Sequence, residues 1–148
     1  MTRIDFYVLP DAAPAARERF ACRLTDIAYR RGQRVYVYVQ SQDQAKAIDA
    51  LLWTFQAGSF IPHCIHPSDI PVDPPVLIGH DSVPEQGHEI LINLTETVPG
   101  FFSRFERVAE MVNQDATAKH TGRERFRFYR DRGYALKTHT LSAQTDDA

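Results

Sequence analysis

The sequence predicts one α/β domain in three layers: a mostly parallel sheet flanked by helices, nucleotide-binding-like in architecture. Three observations carry that expectation. Short apolar runs alternate with segments whose apolar residues recur every three or four positions, the pattern of βαβ crossovers. The run Arg34 to Gln40 (RVYVYVQ) is apolar almost throughout, as a strand covered on both faces requires. The length of 148 residues suits a single core, which at that size buries roughly 68–70% of the unfolded chain's surface without a disulfide or metal staple.

The elements follow in order. Ile4 to Leu9 (IDFYVL), closed by Pro10, reads as a strand. Asp11 is placed to cap a first helix and Pro14 suits its first turn. Phe20, Leu24, Ile27 and Ala28 recur at helical spacing, and Gly32 is the expected stop. After the strand at 34–40, Ser41 opens a second helix with Gln44 as its capping-box partner. Ala45, Ile48, Leu51, Leu52 and Phe55 form its buried stripe, and Gly58 ends it. Ser59 to His66 reads as a short extended segment. Residues 67–88 hold five of the nine prolines and read as loops around a short strand, Val76 to Ile78. Glu89 to Leu94 is another strand. Thr97 and Pro99 start a third predicted helix, with Phe101, Phe105, Val108 and Val112 on one face. Ala116 to Arg132 is a fourth helix ended by Gly133, and Tyr134 to Leu141 a last extended segment. Residues 1–143 thus form one domain, and residues 144–148 are expected to be a disordered tail.

Composition excludes several classes. With 43% hydrophobic and 24% charged residues, the chain is globular rather than disordered. No stretch approaches 18 uninterrupted apolar residues, so no transmembrane helix is expected. Asp5 interrupts the first apolar run, which is wrong for a signal peptide. The expected compartment is therefore the cytoplasm, with Cys22 and Cys64 reduced.

Residue types that perform chemistry are sparse. The first strand leads into Pro10-Asp11-Ala12-Ala13-Pro14, not a glycine-rich turn, so the backbone has no means of cradling a pyrophosphate. Neither GxGxxG nor GxxxxGK[ST] occurs, and no GxSxG is present. His63-Cys64-Ile65-His66 carries ligand residue types but lacks the second pair that a structural zinc site needs. Strand alternation also sends His63 and Ile65 to one face and Cys64 and His66 to the other, so Cys64 and its adjacent histidine diverge, against a Cys–His nucleophile. Glu85 and His88 fall in a loop and supply no anchor for acid–base chemistry. No cofactor, metal or catalytic residue is expected.

Charge is informative. Lys119, Arg123, Arg125, Arg127, Arg130, Arg132 and Lys137 face only Glu124 and Asp131 in the same window, a local charge of +5. The whole chain carries −2, so the remainder carries −7. One cationic element on an acidic body points to a local anion-binding surface rather than general nucleic-acid binding. Lys119, Arg123, Arg127 and Arg130 are spaced four, four and three apart, along one helical stripe. Arginine forks favour carboxylate or phosphate, so nucleic-acid backbone and an acidic peptide both remain candidates. Phe126, Phe128 and Tyr129 lie between these charges and cannot all face solvent. A second stretch, Leu51 to His63 (LLWTFQAGSFIPH), places the only tryptophan beside two phenylalanines at a helix end. It reads equally as a core corner or as an exposed aromatic anchor.

Four segments together resemble a known family. Asp5-Phe6-Tyr7-Val8-Leu9, LLWTFQAGSFIPH, the strands Pro75 to Ile78 and Glu89 to Leu94, and Gly122 to Arg130 followed by Gly133-Tyr134 are similar in order and spacing to the chi subunit of bacterial DNA polymerase III holoenzyme. The resemblance runs through nearly the whole chain. It implies an α/β fold without a P-loop and a non-catalytic adaptor. It implies two partners: the acidic C-terminal tail of single-stranded DNA-binding protein, and the psi subunit of the clamp loader. Carried over, the tail-binding residues are Arg123, Phe126 and Arg127, supported by Lys119, Arg130 and Thr138. Phe126 stands where the family commonly has tyrosine and Arg127 where it has lysine. The psi-facing residues are Trp53, Phe60 and Pro62, a patch on which a helicase is the alternative partner. Direct DNA binding is expected to be weak or absent. The competing expectations are a degenerate nucleotide- or nucleic-acid-binding enzyme of the same fold, or an accessory subunit of a repair helicase.

Overall fold

A computed structural model describes residues 1–13, 15–68, 73–84 and 88–142. Pro14, Pro71, Glu85 and the tail expected at 144–148 lie outside the described residues. The elements are β1 (Arg3–Val8), α1 (Ala16–Arg30), β2 (Val35–Tyr38), α2 (Gln42–Thr54), β3 (His63–His66), β4 (Val76–Gly79) and β5 (Ile90–Asn93). A 3₁₀ turn (Phe102–Arg104), β6 (Arg107–Val112), α3 (Ala116–Asp131) and β7 (Ala135–Thr140) follow. The strands form one sheet in the order β3-β4-β2-β5-β6-β1-β7, and every pairing is parallel.

The two faces of the sheet bury different partners. Phe20, Ala21 and Ala28 of α1 and Ala45, Ile48 and Leu52 of α2 cover one face, against Val37, Val39, Ile92 and Met111. Tyr129 of α3 and Phe102 and Phe105 of the 3₁₀ turn cover the other, against Ile4, Phe6, Leu91 and Val108. A strand with a helix on each side must be apolar on both sides, and β2 (VYVY) is buried at its first three residues with Tyr38 half-buried. This is the three-layer α/β domain that the sequence predicts.

Local signals act as their chemistry requires. Ser41 Oγ accepts from the Gln44 N–H at 3.1 Å, and Gln44 Oε1 reaches back to the Gln40 N–H at 2.8 Å. Gly32 and Gly133 take φ of +77° and +80° just past their helices, where a side chain would be strained. Asp11 is not the cap of α1. Its carboxylate accepts from the Ala13 N–H, while Ala15 occupies the cap without a side-chain bond.

The third predicted helix does not exist. Residues 107–112 form β6, a central strand between β5 and β1. The apolar residues Phe101, Phe105, Val108 and Val112 mimic helical spacing because β6 is apolar on both faces, Val108 and Val112 on one and Ala109 and Met111 on the other. Glu110, the acid that makes RVAEMV look like a helix, is fully buried. Ile27 also departs from expectation. It is 44% exposed, although its neighbours in the predicted stripe, Phe20 and Ala28, are buried.

Candidate functional site

The position of α3 is set from below. Asp115 caps it, its Oδ2 accepting from the Ala118 N–H at 3.1 Å. Gly122, Arg125 and Tyr129 form its buried side. A Cβ on Gly122 would stand 2.7 Å from Val112 Cγ2, so only glycine lets the helix lie this close to β6. Arg125 reaches beneath the helix. Its Nε donates to Glu110 Oε1 at 2.8 Å, and one Nη donates to the Glu96 carbonyl at 3.0 Å and to Thr121 Oγ1 at 3.3 Å. Glu110 Oε2 accepts from the Tyr129 hydroxyl at 2.7 Å and from Asn93 Nδ2 at 3.0 Å. Burial pushes the Glu110 carboxyl up, and the donors around it pull it back. Burial first, and the Glu110 charge second, push the Tyr129 hydroxyl up, so it stays a donor.

With 122, 125 and 129 turned inward, 123, 127 and 130 turn outward and are exposed. Phe126 lies on the boundary, half-buried, its ring 5.3 Å from that of Phe6. Thr138 is the register partner of Phe6 on β7. A groove of about 220 Å³ opens there, its apolar floor made by Phe6, Val8, Val112 and Phe126. Lys119, Arg123, Thr138 and Gln114 stand at its polar edges.

Of the six carried-over residues on this side, Lys119, Arg123, Phe126 and Thr138 thus come together around one groove. Arg127 is exposed on the same helix but does not line it. Arg130 lies further along, and its guanidinium pairs with Asp131 at 3.1 Å, both side chains well exposed. Arg132 stacks over the Phe128 ring, 3.5 Å from its centroid. Arg125, indistinguishable in sequence from its neighbours, is a buried member of the scaffold. Its spacing relative to Gly122 and Tyr129 is the signal that separates it: these three share a face, and Arg123 does not.

The aromatic stretch divides: Phe55 packs against the core, whereas Trp53 and Phe60 are exposed. Trp53, near the end of α2, is 58% exposed and Phe60 is 79% exposed, with Pro62 exposed beside them. The Trp53 ring rests against His63, centroids 4.8 Å apart. His63 is itself closed to solvent, its Nδ1 2.6 Å from the Ile61 carbonyl and its Nε2 3.3 Å from Asp49 Oδ1. Ser59 Oγ donates to Asp26 Oδ1 at 3.3 Å, tying the Phe60 loop to α1. His63 therefore supports the tryptophan. Among the described residues, no group of three or more His, Cys, Asp or Glu is placed to hold a metal ion. Among the described residues, no helix is long and apolar enough to cross a membrane.

Residues 1–137 match the family described as DNA polymerase III chi subunit, HolC. The chain belongs to this family. Three chi subunits are similar over nearly their whole length. That of Pseudomonas aeruginosa is 43% identical over 141 residues, covering 95% of this chain and 98% of the relative. That of Haemophilus influenzae is 30% identical over 140 residues (93% and 96%), and that of Escherichia coli 29% identical over 145 residues (95% and 99%). Chi is a subunit of a replicative polymerase, which makes this chain an accessory protein of DNA replication. The fold has wider kin. T4 UvsW superposes with a TM-score of 0.68 at 10% identity, covering 95% of this chain but only 42% of that one. Domain 2 of the DEAD-box helicase Mss116p, bound to an RNA duplex, gives 0.58 at 9% identity, covering 95% and 66%. A chi subunit thus shares the fold of helicase domains at a sequence distance where fold alone is common.

Proposed function

We propose that this chi-family chain is a non-catalytic, cytoplasmic adaptor of the DNA polymerase III holoenzyme. It links the clamp loader, through psi, to the acidic C-terminal tail of single-stranded DNA-binding protein. The observation that carries this reading is the groove beside α3. Its floor is apolar and Lys119 and Arg123 stand over it without an ion-pair partner among the described residues. An acidic peptide with an apolar last residue presents the complement: carboxylates for the cations and one side chain for the floor. The exposed Trp53, Phe60 and Pro62 form a separate aromatic surface suited to a protein partner, psi or a helicase.

Calorimetry with a peptide copying the binding protein's tail tests the reading. One saturable site is expected, lost when the last residue is removed. Binding that ignores that residue overturns it. So does tight binding of naked single-stranded DNA with a steep salt slope, the mark of direct phosphate contacts.

A further inference from the structure

A second recess lies on the other face of the sheet and runs toward the strand beginnings. A cavity of about 260 Å³ opens between α1 and the sheet, with Leu24 and Ile27 on the helix side and Ile92 and Ala109 on the sheet side. Another, of about 470 Å³, opens at the strand beginnings, edged by Arg3 and Arg104. Gln33, Ile90 and Arg107 line both, so the two form one trench.

Arg107 stands at the junction, held in place. Its Nε donates to Asp5 Oδ2 at 3.1 Å and one Nη donates to the Tyr7 hydroxyl at 3.3 Å. Asp5 Oδ1 is taken by His139 Nε2 at 2.9 Å, and the His139 ring stacks on Tyr7, centroids 4.6 Å apart. The second Nη of Arg107 has no partner among the described residues. Arg3, Arg31 and Arg104 are exposed around it and have no ion pair among the described residues. Against these four arginines stand three carboxylates, Asp5 on Arg107 and Glu89 and Glu106 at the edge, which leaves an excess of positive charge. A cationic recess is notable on a body that carries −7 outside α3 and β7. At its apolar end sits Ile27, 44% exposed although its helical spacing predicts a core position.

We propose that this trench docks an acidic protein segment carrying aliphatic side chains, a contact separate from the groove beside α3. An aliphatic side chain fits between Leu24, Ile27 and Ile92. A carboxylate two or three residues away meets Arg107, whose orientation is already fixed by Asp5. The trench crosses β5, β6 and β1, adjacent in the sheet. Three adjacent strands span about 10 Å, which an extended segment covers in about three residues. Nucleic acid fits poorly, because Glu89 and Glu106 would face its phosphates and the rings at the apolar end, Tyr7 and His139, are already stacked on each other.

The test is a titration of the isotopically labelled full chain with the blocked peptide acetyl-Glu-Leu-Asp-Glu-Leu-Asp-amide, followed by amide shifts. The amidated end denies the α3 groove a terminal carboxylate. Saturating shifts are expected at Ile27, Ala28, Ile92 and Ala109. The pair Ile27→Ser with Arg31→Glu, both on exposed side chains, should weaken binding about tenfold or more, as should Arg104→Glu alone to a lesser degree. Arg123→Ala should leave this binding unchanged while weakening the tail peptide. Absent shifts, shifts confined to Arg123, Phe126 and Thr138, or equal binding of a peptide with serine in place of leucine would each overturn the proposal.

Discussion

Arg125 Nε lies 2.8 Å from Glu110 Oε1, and neither side chain reaches solvent. The pair joins α3 to the middle of the sheet. Tyr129 and Asn93 complete the acceptor set of the carboxylate, so the charge is fully hydrogen-bonded. The cationic face of α3 is therefore oriented by a cation on its hidden side.

Removing one member of this pair strands the other. Arg125→Met should cost about 3–5 kcal/mol of stability, the range for leaving a buried charge unpaired. Adding Glu110→Leu should recover part of that loss, since the uncompensated carboxylate is gone. Urea unfolding of the two single variants and the double variant measures it. A single-variant loss below about 1 kcal/mol would contradict a charged, buried pair.

Arg123→Ala should weaken the tail peptide by about tenfold or more, the equivalent of 1.5–3 kcal/mol for a charge-assisted hydrogen bond. The fold should be unaffected, because Arg123 is exposed and alanine favours helices. Calorimetry beside a melting curve separates the two effects. Equal affinities would remove Arg123 from the groove's function.

Gly122→Ala probes the closeness of α3 to β6. The added Cβ would meet Val112 Cγ2 at 2.7 Å, a contact that forces a shift. Helix propensity gains about 1 kcal/mol, whereas overpacking costs about 1–3. The expected outcome is net destabilisation with weaker peptide binding, since both residues line the groove. A more stable variant that binds normally would show that the helix has room to move.

Trp53→Ala should leave stability nearly unchanged, given the exposure of the ring, and should weaken the partner on that surface by about 30-fold or 2 kcal/mol. Acrylamide should quench the fluorescence of this single tryptophan readily in the free protein and poorly in the complex. Unfolding of the variant would make Trp53 structural.

Alkaline pH should destabilise the fold in a defined window. Burial pushes the Cys22 thiol up to about 12 and the Tyr36 hydroxyl up to about 12, from ordinary values of 9.0 and 10.0. The unfolded chain ionises first. Stability is therefore complete below about pH 9 and falls as the pH rises toward 12, by about 1.4 kcal/mol per pH unit for each group. Urea midpoints measured at stepped pH check it. Cys22→Ala should reduce the slope between about pH 9 and 10, before tyrosine ionises, leaving what the Cys64 thiol, also pushed up by burial, contributes; an unchanged slope there would contradict the raised Cys22 thiol.

Much of this architecture is legible in the sequence where one signal dominates. Ser41 and Gln44, Gly32, Gly133 and the unbroken RVYVYVQ run each specify local structure by themselves. β6 is not legible, because a strand buried on both faces has no alternation, and Glu110 within it looks like a solvated residue until Arg125 is brought to it from 15 positions away. The same blindness applies to the site. Helical spacing places Arg123 and Arg127 on one stripe, but only the packing of α3 shows that the groove reaches Arg123 and Lys119 and stops short of Arg127. Composition leaves Trp53 undecided between core and surface, since an aromatic at a helix end fits both.

Strand β1 pairs only with β6 and β7, Arg3 lying opposite Arg107 on one side and Ala135 on the other. A ribosome delivers these partners about a hundred residues after it delivers β1, and late partners of this kind slow the closing of a fold. By residue 93 the chain holds β2 to β5, neighbours in one half of the sheet, while its first strand still has no partner. The groove, built from Phe6, Val112, Arg123 and Thr138, is then the last part of the molecule to exist. A chain that stops short of β7 therefore presents no complete groove, whatever else of it has folded.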